Sequence, residues 1–319
     1  MNGTTQPEES QPEPGTAREA PEGSGFPTGA SRRSLRTSRP GDGAGGASSS
    51  RAGRDLPAAI GVGVVLILLV LAGLLFVPLA FVATVAVFGV FGCWEVSRAL
   101  STAKADVPPV PLAVGSVALP FAAYYGGEEA IAFALTGTAA LVMLWRLFEG
   151  GAGALRSILA SLLTILWIPT LLSFGVLLFN EPNGALKVAT LLLLVVANDT
   201  FGYLVGASLG KHPMAPKISP KKSWEGFAGS VAGAVVVGVL AAVFLLHQPW
   251  WAGLVLAVAT VAAATAGDLS ESMLKRELGI KDMSNMLPGH GGVMDRLDSI
   301  VFATPVAYIL SVLLLPGAL

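Results

Sequence analysis

Long apolar blocks alternate with short polar or Gly/Pro-rich breaks along most of the chain. From Pro57 onward the apolar blocks are 17 to 25 residues long and carry few or no charges. Blocks of this length can cross the hydrocarbon core of a bilayer as α-helices. The pattern predicts an all-α polytopic membrane protein with about nine transmembrane helices, at residues 57–76, 78–97, 109–125, 130–147, 155–179, 185–205, 226–246, 250–267 and 299–316.

Residues 1–55 have a different composition. They are rich in Gly, Ser, Pro, Glu and Arg and contain almost no large apolar side chains, so they cannot bury enough surface to fold. The chain as a whole is nevertheless 53% hydrophobic, with a mean hydropathy of +0.68. We predict a disordered cytoplasmic tail over residues 1–55 and a membrane-embedded domain over residues 56–319.

The basic residues predict an orientation for these helices, because the cytoplasmic loops of membrane proteins carry an excess of Lys and Arg. If the amino terminus is cytoplasmic, 19 of the 20 basic residues fall inside and only Lys187 falls outside. The outer loops then hold Glu128, Glu129 and Glu181. We predict a multi-pass protein of the cell membrane with a cytoplasmic amino terminus and with its charged stretch, residues 267–299, on the cytoplasmic side.

The stretch 267–299 holds six acidic and four basic residues in a chain that is only 13% charged. Gly279 can end a helix, and a Pro- and Gly-rich turn then forbids regular structure until a second helix begins. Helical spacing gives each helix a carboxylate face, with Asp268 on the first and Asp295 and Asp298 on the second. Such carboxylates can hold a hard divalent cation, which takes its other ligands from waters and phosphate oxygens.

The entry to the second helix is a candidate anion site. Gly291 and Gly292 offer free backbone N–H groups there, at the positive end of the helix dipole. His290, in the same turn, is a candidate for contact with phosphate or for ordering the loop, and plain packing is the alternative. The carboxylates and this turn together indicate metal-assisted phosphate chemistry.

A second polar group occupies residues 198–226. Asp199 follows an apolar stretch, and an ionisable group at the inner end of a membrane helix is a functional candidate; the alternative is a carboxylate that reaches interfacial water. The segment 217–226 then places three lysines, two hydroxyls and an indole within ten residues. Lysines suit a triphosphate as point charges, and Trp224 could stack on a base or lie at the membrane interface.

Other candidate residues have simpler interpretations. Cys93 is expected to be a small buried hydrophobe, and the segment 206–211 lacks the spacing of a P-loop. Glu271 and Lys275 are expected to form an ion pair on the helix surface. No Ser-His-Asp or Cys-His arrangement supports nucleophilic or zinc chemistry.

Two runs of residues carry a resemblance to a known family. One spans 27 residues and reads Ser272-x-Leu274-Lys275-Arg276, then Lys281-Asp282, then Pro288-x-His290-Gly291-Gly292-x-x-Asp295-Arg296-x-Asp298. The other is Ser219-Pro220-Lys221-Lys222-Ser223-Trp224-Glu225-Gly226. Both resemble the phosphatidate cytidylyltransferases (CDP-diacylglycerol synthases), whose second element is Ser-Pro-Lys-Lys-(Thr/Ser)-Trp-Glu-Gly.

The resemblance implies a Mg²⁺-dependent membrane nucleotidyltransferase of phospholipid biosynthesis. Such enzymes join CTP to phosphatidic acid and give CDP-diacylglycerol and diphosphate. The attacking phosphate oxygen is already ionised at neutral pH, so the reaction needs positioning and cations around the phosphates rather than a strong base. The resemblance also implies a homodimer that contacts membrane lipid and no nucleic acid.

The polar residues take three predicted roles through this resemblance. The predicted metal ligands are Asp268, Asp295 and Asp298. The residues predicted to bind CTP and its phosphates are Ser219, Lys221, Lys222, Trp224, Gly291 and Gly292. The residues predicted to act in catalysis are Lys275, Arg276, His290, Arg296 and Asp199.

Three other functions would also place charged residues at membrane helices. A transporter is expected to carry its charges at mid-bilayer in broken, repeated helices, and no inverted repeat is visible in the sequence. A CDP-alcohol phosphatidyltransferase would show an Asp-Gly…Ala-Arg…Gly…Asp…Asp pattern, which the sequence lacks. A scaffold role could explain the tail but not two dense polar groups on one side of the membrane.

Overall fold

The computed structural model describes residues 56–150, 153–284, 286 and 291–315. The predicted tail and His290 lie outside these residues. The described residues form nine α-helices and one short hairpin: α1 (Leu56–Leu75), α2 (Pro78–Thr102), α3 (Pro109–Glu149), α4 (Ala154–Ile165), α5 (Leu171–Asn180), α6 (Gly184–Leu209), β1 (Pro213–Ala215), β2 (Ser219–Ser223), α7 (Trp224–Leu240), α8 (Trp250–Glu277) and α9 (Met294–Leu314). A π-helical turn joins α4 to α5 at Leu166–Thr170, and another extends α7 at Ala241–Leu245.

Helices long and apolar enough to cross a membrane dominate the structure. Seven such segments occur among the residues that could be searched, namely α2, α3, α4 with α5, α6, α7 with its π turn, α8 and α9. The described apolar part of α1, Val64–Leu75, is shorter. The prediction of an all-α polytopic membrane protein is therefore confirmed as a class, with the β1–β2 hairpin as an addition.

Helix α3 turns back on itself at Gly127, whose φ of 65° and ψ of −151° are not helical. A Cβ atom built on Gly115 would lie 2.4 Å from the side chain of Thr138, although a straight helix would separate these residues by about 35 Å. Asn180 donates to the Ala123 and Tyr124 carbonyl oxygens at 3.1 and 3.0 Å, next to the bend. The two halves of α3 thus pack side by side, as two antiparallel helices would.

Small residues let the later helices pack at short range, which is the usual way for membrane helices to associate. A Cβ atom on Gly253 of α8 would lie 2.2 Å from the Gly238 carbonyl oxygen of α7. Farther along α8, a Cβ atom on Gly267 would lie 2.2 Å from the Asp298 carbonyl oxygen of α9. The second contact joins the two helices at the place where both become polar.

The antiparallel β1–β2 hairpin carries the predicted lysine segment. The sequence does not predict a strand here, because Ser219–Ser223 has little of the apolar and β-branched character typical of strands. Tertiary contacts hold the hairpin instead. Ser223 caps α7 by accepting from the Gly226 N–H at 3.1 Å, and Glu225 accepts from the His212 N–H at 3.2 Å. Strand β2 is therefore held against the first turn of α7.

Candidate active site

A polar cavity of about 340 Å³ lies between α6, β2, α7 and α8. Its walls include five of the residues singled out in the sequence: Asp199, Ser219, Lys221, Lys222 and Asp268. These residues come from three separate elements, which the hairpin and the small-residue helix contacts bring together. The volume lies within the range of small-molecule sites, roughly 300–1,000 Å³.

Opposite charges face each other within this cavity. The Lys222 Nζ atom contacts Asp268 Oδ2 in an ion pair whose side chains are 28% and 30% exposed. The other Asp268 oxygen accepts from the Ser272 hydroxyl at 3.2 Å. Asp199 accepts from the Asn198 amide at 2.9 Å, and it interacts electrostatically with Asp268, Lys222 and Arg296. The cavity thus offers both a cation for phosphate and carboxylates for a metal ion.

A second cluster of charges lies deeper, between α8 and α9. Lys275 Nζ is 2.7 Å from Asp295 Oδ1 and 3.2 Å from Glu271 Oε2. The second oxygen of Asp295 accepts from the Met283 N–H at 3.0 Å and from the Gly292 N–H at 2.8 Å. Both Asp295 oxygens therefore have donors, and this carboxylate ties α8, α9 and the segment between them together. Its assignment as a metal ligand stays a prediction.

The expected surface position of Glu271 is wrong. Its ion pair with Lys275 exists, but Glu271 is fully buried, at 0% exposure. Its Oε2 atom has the Lys275 ammonium group as a partner at 3.2 Å, and the carboxyl group lies beside that of Asp298. The spacing of the two residues predicted their contact, but it could not show that α9 covers this face of α8.

Three carboxylates meet where α8 and α9 touch: Asp268, Glu271 and Asp298. Asp298 interacts electrostatically with Asp268, and its Oδ1 accepts from the Ser299 N–H at 2.6 Å. Among the described residues no three His, Cys, Asp or Glu side chains form a preformed metal-binding group. The neighbouring oxygen atoms of Asp268 and Asp298 nevertheless suit a hard divalent cation that takes further ligands from water and phosphate. Asp268 and Asp298 are the residues that would hold it.

Glu95 of α2 is a site residue that the sequence analysis missed. It is 0% exposed, and its two oxygens accept from the N–H groups of Val293 at 2.9 Å and Met294 at 2.7 Å. The Ser284 hydroxyl donates to it as well. A carboxylate at this point accepts hydrogen bonds from N–H groups that have no partner within α9. Its negative charge also stabilises the positive end of the α9 dipole. The signal was a lone acidic residue within an apolar run, which by itself indicates a special role.

The glycines at the start of α9 leave room for the Glu95 carboxylate. Gly291 has a φ of +81°, and a Cβ atom on Gly292 would lie 2.7 Å from the nearer Glu95 oxygen. Any larger residue at the second position would therefore collide with Glu95. Binding of CTP phosphates by Gly291 and Gly292 stays a prediction.

Two further predicted residues lie outside the walls of the polar cavity. The Arg276 Nε atom donates to the Ile218 carbonyl oxygen at 3.2 Å and so joins α8 to the hairpin. Trp224 is 56% exposed and packs edge-on against Phe227, a placement that suits an interfacial anchor. Their roles in catalysis and in CTP binding, respectively, stay predictions.

The sequence model of the cytidylyltransferase family matches residues 57–314. The chain belongs to the cytidylyltransferase family. Proteins named phosphatidate cytidylyltransferase from Mycobacterium bovis and Mycobacterium tuberculosis are each 42% identical to it over 279 residues, which cover 83% of this chain and 91% and 85% of theirs. The protein of that name from Mycobacterium leprae is 40% identical over 286 residues, 84% of this chain and 91% of its own.

These matches confirm the resemblance inferred from the two motifs. They also extend it, because the family match begins in α1, far ahead of both motifs. Membership of the cytidylyltransferase family favours a nucleotidyltransferase over the transporter, the CDP-alcohol phosphatidyltransferase and the scaffold. The two charged clusters are accordingly the candidate active site of a membrane nucleotidyltransferase.

Glu95→Gln should lower cytidylyltransferase activity by about 10- to 100-fold. An amide has one acceptor oxygen, so its NH₂ group would face a backbone N–H at the start of α9, and lost hydrogen bonds to a charged group cost about 1.5–3 kcal/mol each. Turnover and thermal unfolding of the purified protein in detergent would measure the effect. Glu129→Gln is the matched control, because Glu129 is exposed on α3. Unchanged turnover in Glu95→Gln would show that the start of α9 does not depend on this charge.

Proposed function

We propose that this chain is an integral membrane phosphatidate cytidylyltransferase that makes CDP-diacylglycerol and diphosphate from CTP and phosphatidic acid. The observation that carries the proposal is the polar cavity, in which lysines of β2 face Asp199 and Asp268 at the ends of membrane helices. The names of the mycobacterial relatives describe the same reaction. Phosphatidic acid is a lipid and CTP is water-soluble, so a polar cavity at the end of apolar helices suits this pair of substrates.

Lys221, Lys222 and Ser219 are proposed to bind the triphosphate of CTP. The support is that all three line the cavity, and that ammonium and hydroxyl groups both donate to phosphate oxygens. Lys222 is only partly buried, so it can exchange its contact with Asp268 for a phosphate at small desolvation cost. Stacking of the cytosine on Trp224 and phosphate contacts to the turn at Gly291 and Gly292 remain parts of the proposal that rest on the resemblance.

Mg²⁺ is proposed as the cofactor, with Asp268 and Asp298 as its carboxylate ligands. Asp268 and Asp298 interact electrostatically, which supports a cation shared by the two carboxylates. The buried Glu271 carboxyl group lies next to Asp298. Bound Mg²⁺ would neutralise negative charge on the reacting phosphates. Ligation by Asp295 would require this carboxylate to give up Lys275 and two backbone N–H groups, so we assign Asp295 to positioning first.

In the proposed reaction a phosphate oxygen of phosphatidic acid forms a bond to the α-phosphorus of CTP. The bond between that phosphorus and the oxygen bridging to the β-phosphate breaks, and its electron pair leaves with diphosphate. Lys221 and Lys222 would stabilise the charge that develops on the leaving group. Arg296 is proposed to orient the lipid phosphate beside Asp199, while Lys275 holds α8 and α9 in register. Roles for Arg276 and His290 rest on the resemblance.

The purified protein should form CDP-diacylglycerol from CTP and phosphatidic acid only when Mg²⁺ is present. Asp268→Asn and Asp298→Asn should each reduce turnover by roughly 100-fold or more and raise the Mg²⁺ concentration needed, because each variant loses an ionised ligand. Product formation would be followed with and without a chelator. Asp106→Asn is the control, since Asp106 is exposed and outside the cavity. Mg²⁺-independent turnover would refute the metal assignment, and no turnover by the intact chain would refute the proposed reaction.

Lys222→Gln should raise the KM for CTP by about tenfold while leaving the KM for phosphatidic acid nearly unchanged. The reason is that an amide keeps some hydrogen bonding but loses the charge-assisted contact to phosphate, worth about 1.5 kcal/mol or more. Lys217→Gln provides a matched control, because Lys217 is an exposed lysine of the same hairpin outside the cavity wall. Equal effects of the two variants would indicate that general charge, rather than a CTP contact, matters.

The membrane topology is also proposed to have nine spans, with the amino terminus and the active site in the cytoplasm. The reversal of α3 at Gly127 supports two spans in place of one, since 41 residues of straight helix would measure about 60 Å, twice a bilayer core. The distribution of basic residues supports the orientation. A homodimer in the cell membrane is proposed on the resemblance alone.

Glu129→Cys should react with a membrane-impermeant maleimide in intact cells, and Lys217→Cys should react only after the cells are permeabilised. The proposed topology puts these two residues on opposite sides of the membrane. The native Cys93 is buried and should not compete for the reagent. Labelling of both positions from the same side would refute the proposed span count between them, and the reverse pattern would refute the orientation.

A further inference from the structure

A second cavity, of about 550 Å³ and almost wholly apolar, lies between α1, α6 and α9. It exists because α1 packs mainly against α2 and leaves a gap toward the other two helices. Fourteen of its fifteen lining residues are apolar, and the exception is Arg296. The side walls include Val70 and Leu74 of α1, Leu192 and Val196 of α6, and Leu297 and Ile300 of α9.

The apolar cavity opens sideways, toward the region that lipid would occupy. Several of its lining residues also belong to the outer surface, with exposures of 60% for Ile67, 49% for Leu193 and 61% for Val196. A cavity with large exposed apolar residues at its rim is suited to a hydrocarbon ligand from the bilayer. A water-soluble ligand would not enter through such a rim.

The apolar cavity and the polar cavity follow one another along α6, next to Asp199 and Arg296. Val196 lines the first and Asp199 lines the second, and these residues are one turn apart on α6, about 4.5 Å along the helix. Arg296 lines the apolar cavity and interacts electrostatically with Asp199. A molecule in the apolar cavity could therefore place its polar end beside the lysines of β2.

We propose that the apolar cavity binds an acyl chain of phosphatidic acid, with the lipid phosphate against Arg296 and α1 as the wall that limits the chain. The proposal deepens the proposed function and rests on it. A guanidinium pairs with phosphate through two parallel hydrogen bonds, which gives the cavity its charge complementarity. Lipid tails are as apolar as the cavity walls, so selectivity for phosphatidic acid should come from the contact of its phosphate with Arg296. The cavity should fix the orientation of the bound acyl chain.

Crosslinking would test occupancy without relying on turnover. The full-length protein in nanodiscs would be illuminated with a phosphatidic acid that carries a diazirine at the end of one acyl chain. We expect labelled peptides from α1 or from the 189–196 part of α6, with labelling reduced by excess phosphatidic acid and not by phosphatidylcholine. Labelling elsewhere, or equal competition by phosphatidylcholine, would overturn the proposal and indicate general lipid solvation.

Filling the cavity would test its role in the reaction. Val70→Trp should raise the KM for long-chain phosphatidic acid about tenfold, because the indole would occupy volume that the acyl chain fills and overfilling a packed apolar site is destabilising. It should leave the KM for CTP and the KM for short-chain phosphatidic acid unchanged. Leu68→Trp is the matched control, because Leu68 is exposed on α1 outside the cavity.

The two experiments separate this proposal from the proposed function. Equal effects of Val70→Trp on long and short chains, or equal effects of the two tryptophan variants, would overturn the acyl-chain site while leaving the reaction intact. An intact protein that shows the expected crosslinks but forms no CDP-diacylglycerol would overturn the proposed reaction and leave the lipid site standing.

Discussion

A lysine held between two carboxylates joins the helices on which the whole site depends. Lys275 lies between Glu271 on its own helix and Asp295 on α9, and the side chains of all three are at least 85% buried. Charges in such surroundings are costly unless they are paired, and removal of one partner commonly costs about 3–5 kcal/mol. The pairing therefore fixes α8 against α9 more firmly than an exposed ion pair could.

The same contacts continue outward from Asp295 in a connected series. Its second oxygen binds the backbone at Met283 and Gly292, and the next two N–H groups along the chain bind Glu95. Three helices, α2, α8 and α9, are thus tied to one short polar segment. Backbone N–H groups inside a membrane protein need partners, and these two carboxylates supply them at the start of α9.

Burial separates the charged residues into those suited to hold the fold and those suited to hold a ligand. The Lys222 and Asp268 side chains are about a third exposed, so water can replace either partner at modest cost. Glu271 is sealed from solvent, and Lys275 cannot leave it without stranding a buried charge. Under the proposed function, substrate phosphate would exchange with the outer pair, while the inner cluster would maintain the distance between α8 and α9.

The sequence predicts those features that depend on one local property, such as hydropathy. It predicts less well the features that depend on contacts between several elements. Long apolar blocks are sufficient to identify membrane helices, and the charged motifs identified the family. The reversal at Gly127 lies between two predicted spans, as expected for a Gly-Gly break. In contrast, the strand at Ser219–Ser223 is held by the helix cap at Ser223 and by the Glu225 contact to His212. The strand propensities of these residues do not contain that information. The burial of Glu271 and the contacts of Glu95 depend on which helix covers them, and helical spacing alone does not contain that information.

Helix α6 borders both cavities, so one helix could contact an apolar lipid chain and a polar nucleotide. Its residues from Ala189 to Val196 border the apolar cavity, and those from Asn198 to Gly206 border the polar one. Gly202 and Gly206 pack against α7 at short range, where a Cβ atom on Gly202 would lie 2.4 Å from the Ser230 hydroxyl. That close packing brings the hairpin lysines over the polar half of the helix. The change of environment falls within one turn at Asp199, which is where a lipid phosphate and a nucleotide phosphate would have to meet for the reaction to occur.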